Sequence, residues 1–259
     1  MANTPLVMGI LNVTPDSFSD GGRFEARGKA VDHARAMIAE GADIIDIGGE
    51  SSRPGHTPVS AEEELDRVLP VLREVAPMGV PVSIDTMKAE VASKALAAGA
   101  TIMNDVWGLQ RDPAMAGVAA EAGCEIVLMH NRETVEPEID IVDDILEFFG
   151  RTLEIARRAG IAEKNIFLDP GIGFGKTADQ SLQAMKHLSR LKALGFPILF
   201  GASRKSSIGH VLDKPVDQRL YGTLAVNAWA VLENAEIIRV HDVAAHVDLV
   251  KMLNAIRSA

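Results

Sequence analysis

Two segments of the chain combine chemically active residue types with the spacing of active-site loops. They are MGILNVTPDSFSDGG (Met8–Gly22) and DPGIGFGKT (Asp169–Thr177). Each runs from an apolar, strand-like stretch into a loop rich in Gly, Pro or Asp. Junctions of this kind, where a strand ends in a chemically equipped loop, build the active sites of α/β enzymes. The two segments therefore predict an enzyme.

Three acidic or amide side chains follow apolar stretches at separate places in the chain. These are Asp85, Asn104 and Asp169. A flat heterocycle with adjacent N–H donors is well matched by such acceptors, because a carboxylate can accept from both donors at once. The alternative for Asp85 is a helix cap before the segment that follows it. The recurrence at three strand ends favours a ligand.

Cationic side chains also lie close to the ends of apolar stretches. Arg239 and His241 flank Val240, so they share one face of a strand, where burial without an anion would be costly. The segment GASRKS contributes Lys205, and Arg53 precedes a proline in GGESSRPG, which holds its backbone extended. An oxyanion or phosphate site is predicted, with a structural pair and solvated loops as the alternatives.

The segment DPGIGFGKT fits neither common nucleotide motif. The phosphate-loop pattern requires Gly where Pro170 stands, and the GxGxxG spacing of dinucleotide folds is absent. We expect its glycines to let the backbone lie against a planar ligand, with Phe174 as a wall. The histidines lack zinc-ligand spacing, whereas a Mg²⁺ ion held by one side chain and substrate phosphates would need no more than Asn12.

Eight short apolar runs, rich in Ile and Val, are predicted as the strands that position these groups. The runs are Leu6–Ile10, Ile44–Ile47, Val82–Ile84, Ile102–Met103, Ile126–Met129, Ile166–Leu168, Ile198–Phe200 and Ile237–Val240. Helical spacing lies between them, and glycine junctions (EGAD, AGAT, AGCE and LGFP) introduce several strands. The pattern predicts one α/β domain, a (β/α)₈ TIM barrel over residues 1–259, with an open doubly wound sheet as the alternative.

Polar residues lie at or just beyond the C-terminal ends of all eight predicted strands, and in a barrel these ends converge on the rim that carries the active site. They are Asn12, Asp46, Asp85, Asn104 with Asp105, His130, Asp169, Ser203 with Lys205, and Arg239 with His241.

Composition limits the possible functions. With 47% hydrophobic but only 4% aromatic residues, the core must consist of Val, Ile, Leu, Ala and Met. The net charge of −10 argues against nucleic acid as a partner. A single cysteine, Cys124, allows no internal disulfide, and no apolar run has the length of a membrane span. These features predict a cytoplasmic protein without a membrane partner.

The motifs GILNVTPDSFSDGG, DIGGESSRPG, SIDT, NDV, LMH, LDPGIGFGKT, SRKS and RVHDV occur in this order along the chain. In this the chain resembles the bacterial dihydropteroate synthases of folate biosynthesis, the target class of sulfonamides. The resemblance implies a homodimeric barrel that joins para-aminobenzoate to 6-hydroxymethyl-7,8-dihydropterin pyrophosphate and releases pyrophosphate with the help of Mg²⁺. An SN1-like dissociative substitution is the expected mechanism.

The resemblance also implies residue roles. Pterin-binding residues would be Asp85, Asn104, Met129, Asp169, Phe174 and Lys205. Pyrophosphate-binding residues would be Asn12, Arg53, Arg239 and His241, with Asn12 also binding the metal ion. Aminobenzoate-binding residues would be Phe18, Asp20, Ser52, Arg53, Pro54 and Ser206. Catalytic roles would fall to Asp85, Lys205, Asn12, Arg239 and His241.

The sequence departs from the family pattern near the expected aminobenzoate site. Ser52 replaces the usual Thr, Ser207 stands where Phe is common, and NRETVEPE replaces a loop that usually contains Met and Gly. These changes bear on the affinity for aminobenzoate and for sulfonamides. Two alternative functions remain: a related barrel that transfers a methyl group from a folate to a corrinoid protein, and a binder without turnover. Pyrophosphate release distinguishes the synthase from both.

Overall fold

Parallel strands form the centre of the molecule. The computed structural model describes residues 4–14, 23–50 and 58–259, apart from the side chains of residues 23 and 24. All eight predicted strands are confirmed there, with ends that differ from the predicted ones by at most two residues. They are β1 (Leu6–Asn12), β2 (Ile44–Gly48), β3 (Val82–Asp85), β4 (Ile102–Asp105), β5 (Glu125–Met129), β6 (Ile166–Asp169), β7 (Leu199–Phe200) and β8 (Ile237–Val240).

The sheet curves into a nearly closed barrel. Its strand order is β6-β5-β4-β3-β2-β1-β8-β7, and the paired strands are parallel. The two ends of this order meet through a bridge between Leu168 and Ile198, next to a 2.9 Å hydrogen bond from Leu168 N to Pro197 O. This contact confirms the (β/α)₈ barrel. The doubly wound alternative is wrong, because an open sheet would leave β6 and β7 as separate edges.

Helices follow the strands along the described chain. They are α1 (Arg23–Ala39), α2 (Ala61–Val75), α3 (Ala89–Ala97), α4 (Met115–Ala122), α5 (Ile141–Ala159), α6 (Ala178–Lys186), α7 (Leu188–Lys192), α8 (Ser206–Leu212), α9 (Leu220–Leu232) and α10 (Val243–Ser258). Short 3₁₀ turns cover Ala76–Met78, Glu163–Asn165 and Val216–Gln218. In the described ranges, no helix is both long and apolar enough to cross a membrane.

Local sequence signals explain where several helices begin and end. Asp140 caps α5 by accepting from Val142 N at 2.9 Å, and Thr177 forms a reciprocal capping box with Gln180 at the start of α6. The glycines predicted to lead from helices into strands all have positive φ, which a residue with a side chain rarely adopts. Their φ values are 100° at Gly41, 116° at Gly99, 60° at Gly123 and 87° at Gly195.

The barrel interior is apolar at the bottom and polar at the top. A compact layer of buried side chains consists of Met8, Ile44, Ile102, Val127, Leu199 and Ile237. Because alternate residues of a strand face the same way, the next inward positions lie two residues further along. These positions are Ile10, Asp46, Asn104, Met129, Gly201 and Arg239. The register therefore places polar groups directly above an apolar layer. A larger cluster, dominated by Val, Ile, Leu, Ala and Met, packs the strands against the helices, as the composition predicts.

Candidate active site

The ends of the first four strands bring three predicted residues side by side. In the strand register, Asn12 lies opposite Gly48, Gly48 opposite Asp85, and Asp85 opposite Asn104. Gly48 has no side chain to separate its neighbours. A Cβ atom there would lie 3.7 Å from Asp85 Oδ2 and 3.8 Å from Asn12 Oδ1. The two oxygen atoms thus flank one point on the rim.

Arg239 joins this group from β8. Its Nε donates to Asp46 Oδ2 at 2.6 Å, and its Nη2 donates to Asp85 Oδ2 at 2.7 Å. Asn104 Nδ2 donates to the same Asp46 oxygen at 3.2 Å. Arg239 therefore has internal counter-charges, so its burial does not by itself require the bound anion that the sequence predicts.

Carboxylates outnumber the guanidinium in this cluster, and the pKa values of Asp85 and Arg239 reflect this excess of negative charge. Burial raises the pKa of Asp85 to about 7; Arg239 opposes the rise, while Asp46 and Glu64 add to it. Burial also opposes the charge of Arg239, yet the carboxylates of Asp46 and Asp85 raise the pKa of the guanidinium overall. One cation pairs with two carboxylates, so the cation is well stabilised while Asp85 is not. The arrangement holds a carboxylate that ionises near neutral pH.

The helix-cap alternative for Asp85 is wrong. Helix α3 begins after Lys88, which provides no side-chain cap, and the amide of Ala89 donates to Asp112 Oδ2 at 2.8 Å. The cap thus comes from the next βα unit, which leaves Asp85 to the rim cluster.

A second group of predicted residues surrounds the end of β6. Asp169 Oδ1 accepts from Gly171 N at 2.7 Å, and Met129 lies opposite Asp169 in the register. Lys205 Nζ lies 4.5 Å from the centre of the Phe174 ring, a cation–π contact. Burial lowers the pKa of Lys205 to about 8, which Asp169 opposes. Burial likewise raises the pKa of Asp169, which Lys205 opposes.

The predicted imidazole of the rim is held by a neighbouring serine. His241 Nδ1 is hydrogen-bonded to Ser203 Oγ at 2.9 Å, and the His241 amide donates to the same oxygen at 3.2 Å. Two contacts with one hydroxyl fix both the backbone and the ring of His241. Ser206 is exposed at the first residue of α8.

The lysine of DPGIGFGKT holds its own loop in place. Lys176 Nζ is hydrogen-bonded to His130 Nδ1 at 2.7 Å, to Gly171 O at 2.8 Å and to Phe174 O at 3.1 Å. Its side chain is buried, and burial lowers its pKa well below the ordinary value. All three partners lie within hydrogen-bond distance of this one buried amine. Lys176 is therefore a loop contact and not an exposed phosphate ligand, in agreement with the failed phosphate-loop spacing.

The expectation that the glycines of this loop approach a ligand is wrong for two of them. A Cβ atom on Gly171 would lie 1.8 Å from His130 O, and one on Gly175 would lie 2.6 Å from Arg132 O. Both have positive φ, at 65° and 56°. These glycines instead let the loop pack closely on the chain that follows β5.

A partly buried group of charged and polar side chains holds the segment after β5 in place. His130 Nε2 lies 2.9 Å from Asp144 Oδ2, and Arg132 donates to the other oxygen of Asp144 at 2.5 Å. Burial lowers the pKa of His130 to about 4, so its ring is neutral at pH 7. Nε2 then donates to Asp144, which leaves Nδ1 to accept from Lys176. The hydrogen bond from His130 lowers the pKa of Asp144 to about 2.

Three residues in or behind the site have no chemical role in the predictions made from sequence. Asp46, the polar residue within the otherwise apolar run Ile44–Ile47, was predicted to lie on the rim but was given no binding or catalytic role. His130, which directly follows Met129 at a strand end, was likewise predicted to lie on the rim without such a role. For Lys176 the sequence offers no signal of burial.

Comparison with known proteins identifies the family. A profile of the family described as "pterin binding enzyme" matches residues 8–241. The dihydropteroate synthase of Clostridium beijerinckii is 50% identical over 252 residues, which cover 96% of this chain and 93% of that protein. This chain belongs to the dihydropteroate synthases. They are transferases, so the prediction of an enzyme is confirmed.

Two solved structures from the family share the fold closely. The enzyme from Clostridium difficile, in the presence of pteroic acid, has a TM-score of 0.95 and 46% identity, over 98% of this chain and 97% of that one. The enzyme from Xanthomonas albilineans, with 4-aminobenzoic acid, has a TM-score of 0.96 and 43% identity, over 100% and 95% of the two chains.

The residue roles predicted from the family resemblance stay predictions. Phe18, Asp20, Ser52, Arg53 and Pro54 lie outside the described residues. Within the described ranges, no group of three or more His, Cys, Asp or Glu side chains is arranged to hold a metal ion.

Proposed function

We propose that this chain joins para-aminobenzoate to 6-hydroxymethyl-7,8-dihydropterin pyrophosphate, forming 7,8-dihydropteroate and pyrophosphate in folate biosynthesis. The observation that carries the proposal is the rim cluster of acceptors and cations formed by Asp85, Asn104, Asp169, Lys205 and Arg239. Its support from the family is that pteroic acid and 4-aminobenzoic acid accompany relatives in their solved structures.

In this proposal the pterin binds beside β4, β5 and β6. The buried carboxylate of Asp169 and the amide of Asn104 accept from the N–H donors along the edge of the ring. Lys205 donates to ring acceptors, because a pKa of about 8 leaves most of it protonated at pH 7. Met129 and Phe174 supply apolar walls.

The pyrophosphate binds at the other side of the rim, among Asn12, Arg239 and His241, together with Arg53. A Ser203 hydroxyl that donates to Nδ1 of a neutral His241 leaves the ring proton on Nε2, where it can donate to a phosphate oxygen. Cations and N–H donors at this position stabilise the charge that grows on the leaving group.

Residues of the rim also suit Mg²⁺. Asn12 Oδ1 and Asp85 Oδ2 flank the same glycine, and oxygen donors of this type are those that Mg²⁺ prefers. Asn12 would hold the ion, and substrate phosphates would supply further oxygen ligands. A bound Mg²⁺ ion adds positive charge beside the departing pyrophosphate.

The substitution is dissociative in our proposal. The bond between the methylene carbon and the pyrophosphate oxygen breaks first, and its electrons leave with the pyrophosphate. The electron-rich ring shares the positive charge on the methylene, and the carboxylate of Asp85 stabilises it. A carboxylate whose pKa is raised to about 7 is poorly solvated, so it gains more from a new neighbouring cation than an exposed one would. The amine nitrogen then bonds to the carbon and loses a proton, without a covalent enzyme intermediate.

We further propose a cytoplasmic location, as predicted from the single cysteine and the lack of a long apolar run. We also propose a homodimer formed through α9. Four exposed residues recur along one face of this helix, and all four are apolar. They are Tyr221, Ala225, Trp229 and Leu232. An exposed apolar stripe of this size is typical of a subunit contact.

Pyrophosphate release tests the proposed reaction. The assay follows release from the dihydropterin pyrophosphate in Mg²⁺, with and without para-aminobenzoate. We expect release that requires aminobenzoate and collapses in Lys205→Ala, while Lys186→Ala, at an exposed lysine at the end of α6, matches the unchanged protein. Pterin binding without release would contradict the synthase and indicate the methyl-transfer relative or a binder.

A further inference from the structure

Side chains continue the pairing of β7 and β8 beyond the end of the sheet. The backbone pairing covers only Leu199 with Ile237 and Phe200 with Ile238, an offset of 38 residues. Ser203 and His241 keep the same offset of 38 in their 2.9 Å hydrogen bond. So does the next pair, in which Arg204 forms two hydrogen bonds to Asp242. The register is therefore maintained by side chains on the active-site rim.

Arg204 is held in an unusual conformation by contacts from several directions. Its φ is 57°, in the left-handed region that is strained for a residue with a side chain. Its amide donates to Thr223 Oγ1 at 3.1 Å, and its carbonyl accepts from Arg219 Nη1 at 3.0 Å. Its guanidinium donates from Nε to Asp242 Oδ2 at 3.0 Å and from Nη2 to Oδ1. Backbone strain that is so fully supported is common at functional sites.

The conformation separates Arg204 from its neighbours. The residue before it contacts His241, and the residue after it, Lys205, lies over Phe174 in the site. Arg204 itself turns to Asp242, which directly follows His241 in the chain. The ion pair has side chains that are 35% and 22% exposed, and such a pair contributes little to stability. The contact therefore matters more for the relative position of the chain segments after β7 and β8 than for the stability of the protein.

We propose that Arg204 and Asp242 are positioning residues that fix the spacing between the two halves of the binding site. Lys205, on the loop after β7, belongs to the pterin half, and His241, at the end of β8, belongs to the pyrophosphate half. The inference rests on the proposed function. A ligand with two linked parts gains affinity from both only when the two subsites match its span, so a fixed spacing favours the intact substrate over its separate parts.

Three ligands test this proposal in binding titrations without aminobenzoate. They are 6-hydroxymethylpterin, inorganic pyrophosphate with Mg²⁺, and the dihydropterin pyrophosphate. Arg204→Lys keeps the positive charge but cannot form the two parallel hydrogen bonds to the carboxylate of Asp242. Asp242→Asn changes the net charge of the protein by one. In both variants we expect the Kd of each separate part to rise less than about threefold and that of the intact substrate to rise about tenfold or more. The double variant should be no worse than the single ones, because the same contact is lost in each.

A matched control removes an ion pair at the opposite end of the same strands. Lys192 pairs with Glu236, which precedes β8 and accepts from Ile198 N at 2.7 Å, again with an offset of 38. We expect Lys192→Gln to leave all three Kd values unchanged. Melting temperatures of all variants identify any general loss of folding.

Several results would overturn the inference. One is an unchanged Kd for the intact substrate, and another is an equal rise of all three Kd values, which indicates a general structural role. A rise confined to pyrophosphate would indicate a local charge effect. If the Kd of the intact substrate rose in one of Arg204→Lys and Asp242→Asn and fell in the other, the charge of these residues would explain the effect, and the geometry of the pair would not. If the unaltered protein binds all three ligands but releases no pyrophosphate with aminobenzoate, the proposed reaction fails while the Kd comparison still decides the positioning role.

Discussion

Replacing Asp85 with Asn tests the proposed role of its charge, because the change keeps the shape of the side chain and removes the carboxylate. Arg239 retains its contact with Asp46 in the variant, so the rim is not left with an unpaired cation. If the carboxylate stabilises the methylene cation, kcat should fall about 10²–10³-fold, as when one preorganised group is removed from a transition state. The Kd of the pterin should rise less than about tenfold, since Asn104 and Asp169 remain.

The same substitution should stabilise the protein at neutral and basic pH. The groups that act on Asp85 are Arg239, Asp46, Glu64 and Lys205, and the pKa of about 7 exceeds that of an unfolded Asp, about 3.9. Between these values the unfolded chain has lost the proton and the folded chain keeps it, so stability falls as pH rises. The difference corresponds to at most about 4 kcal/mol. Because the side chain is 11% exposed and partly screened by water, we expect about 1–3 kcal/mol.

Two assays measure these opposite effects. Thermal unfolding without ligand should give Asp85→Asn a melting temperature roughly 2–8 °C higher at pH 8, with a difference that shrinks towards pH 4. The kcat/KM of the unaltered protein should rise with pH through about 7, as Asp85 loses its proton, and the variant should lack this rise. Equal losses in kcat and in pterin affinity would refute the catalytic role. A lower melting temperature at pH 8 would refute the electrostatic reasoning.

Four further predictions concern other parts of the chain. Lys176→Met leaves two loop carbonyls and the His130 ring without their shared partner, so urea unfolding should show a loss of about 2–4 kcal/mol; a loss below about 0.5 kcal/mol would contradict the loop contact. His130 lowers the pKa of Asp144, so the folded protein loses stability as the pH falls from about 4 to about 2. Asp144→Asn should make this loss smaller, as measured by unfolding monitored by circular dichroism at each pH. The Ser207 hydroxyl is buried without a hydrogen-bond partner among the described residues, so Ser207→Ala should raise the free energy of unfolding by about 1 kcal/mol, measured by calorimetry. Tyr221→Glu should halve the mass seen by sedimentation, and an unchanged mass would count against the α9 contact.

Much of the fold follows from local sequence signals. Strands such as Ile44–Gly48 are short apolar runs between glycine junctions, and the positive φ of Gly41 and Gly99 bears out the junctions. Parallel strands that alternate with helices then allow few architectures. Closure of the barrel was harder to predict from sequence, because it depends on a short junction between β6 and the residues just before the two-residue strand β7.

The partners within the site could not be predicted in the same way. Arg239 and Asp46 are 193 residues apart, so their contact exists only once the barrel closes. For the same reason the sequence could not show that Asp112 caps α3 in place of Asp85. The role of Lys176 was equally hidden, since a Gly-Lys-Thr sequence looks the same whether its lysine is buried or exposed. Spacing along the chain predicts which residues reach the rim but not which of them pair there.

The charged groups on the active-site rim lower the stability of the folded protein. The pKa of Asp85 is raised and that of Lys205 is lowered, which means that burial disfavours the charged form of each. Asp46 Oδ1 is buried without a hydrogen-bond partner among the described residues, and Arg204 has a left-handed backbone. Groups that water solvates well respond weakly to the charge of a substrate, whereas these poorly solvated groups respond strongly. The apolar layer beneath them must therefore supply the stability that the rim lacks. On this reasoning, substitutions that neutralise Asp85 or Lys205 should stabilise the fold while they reduce turnover, as expected of a trade-off between stability and activity.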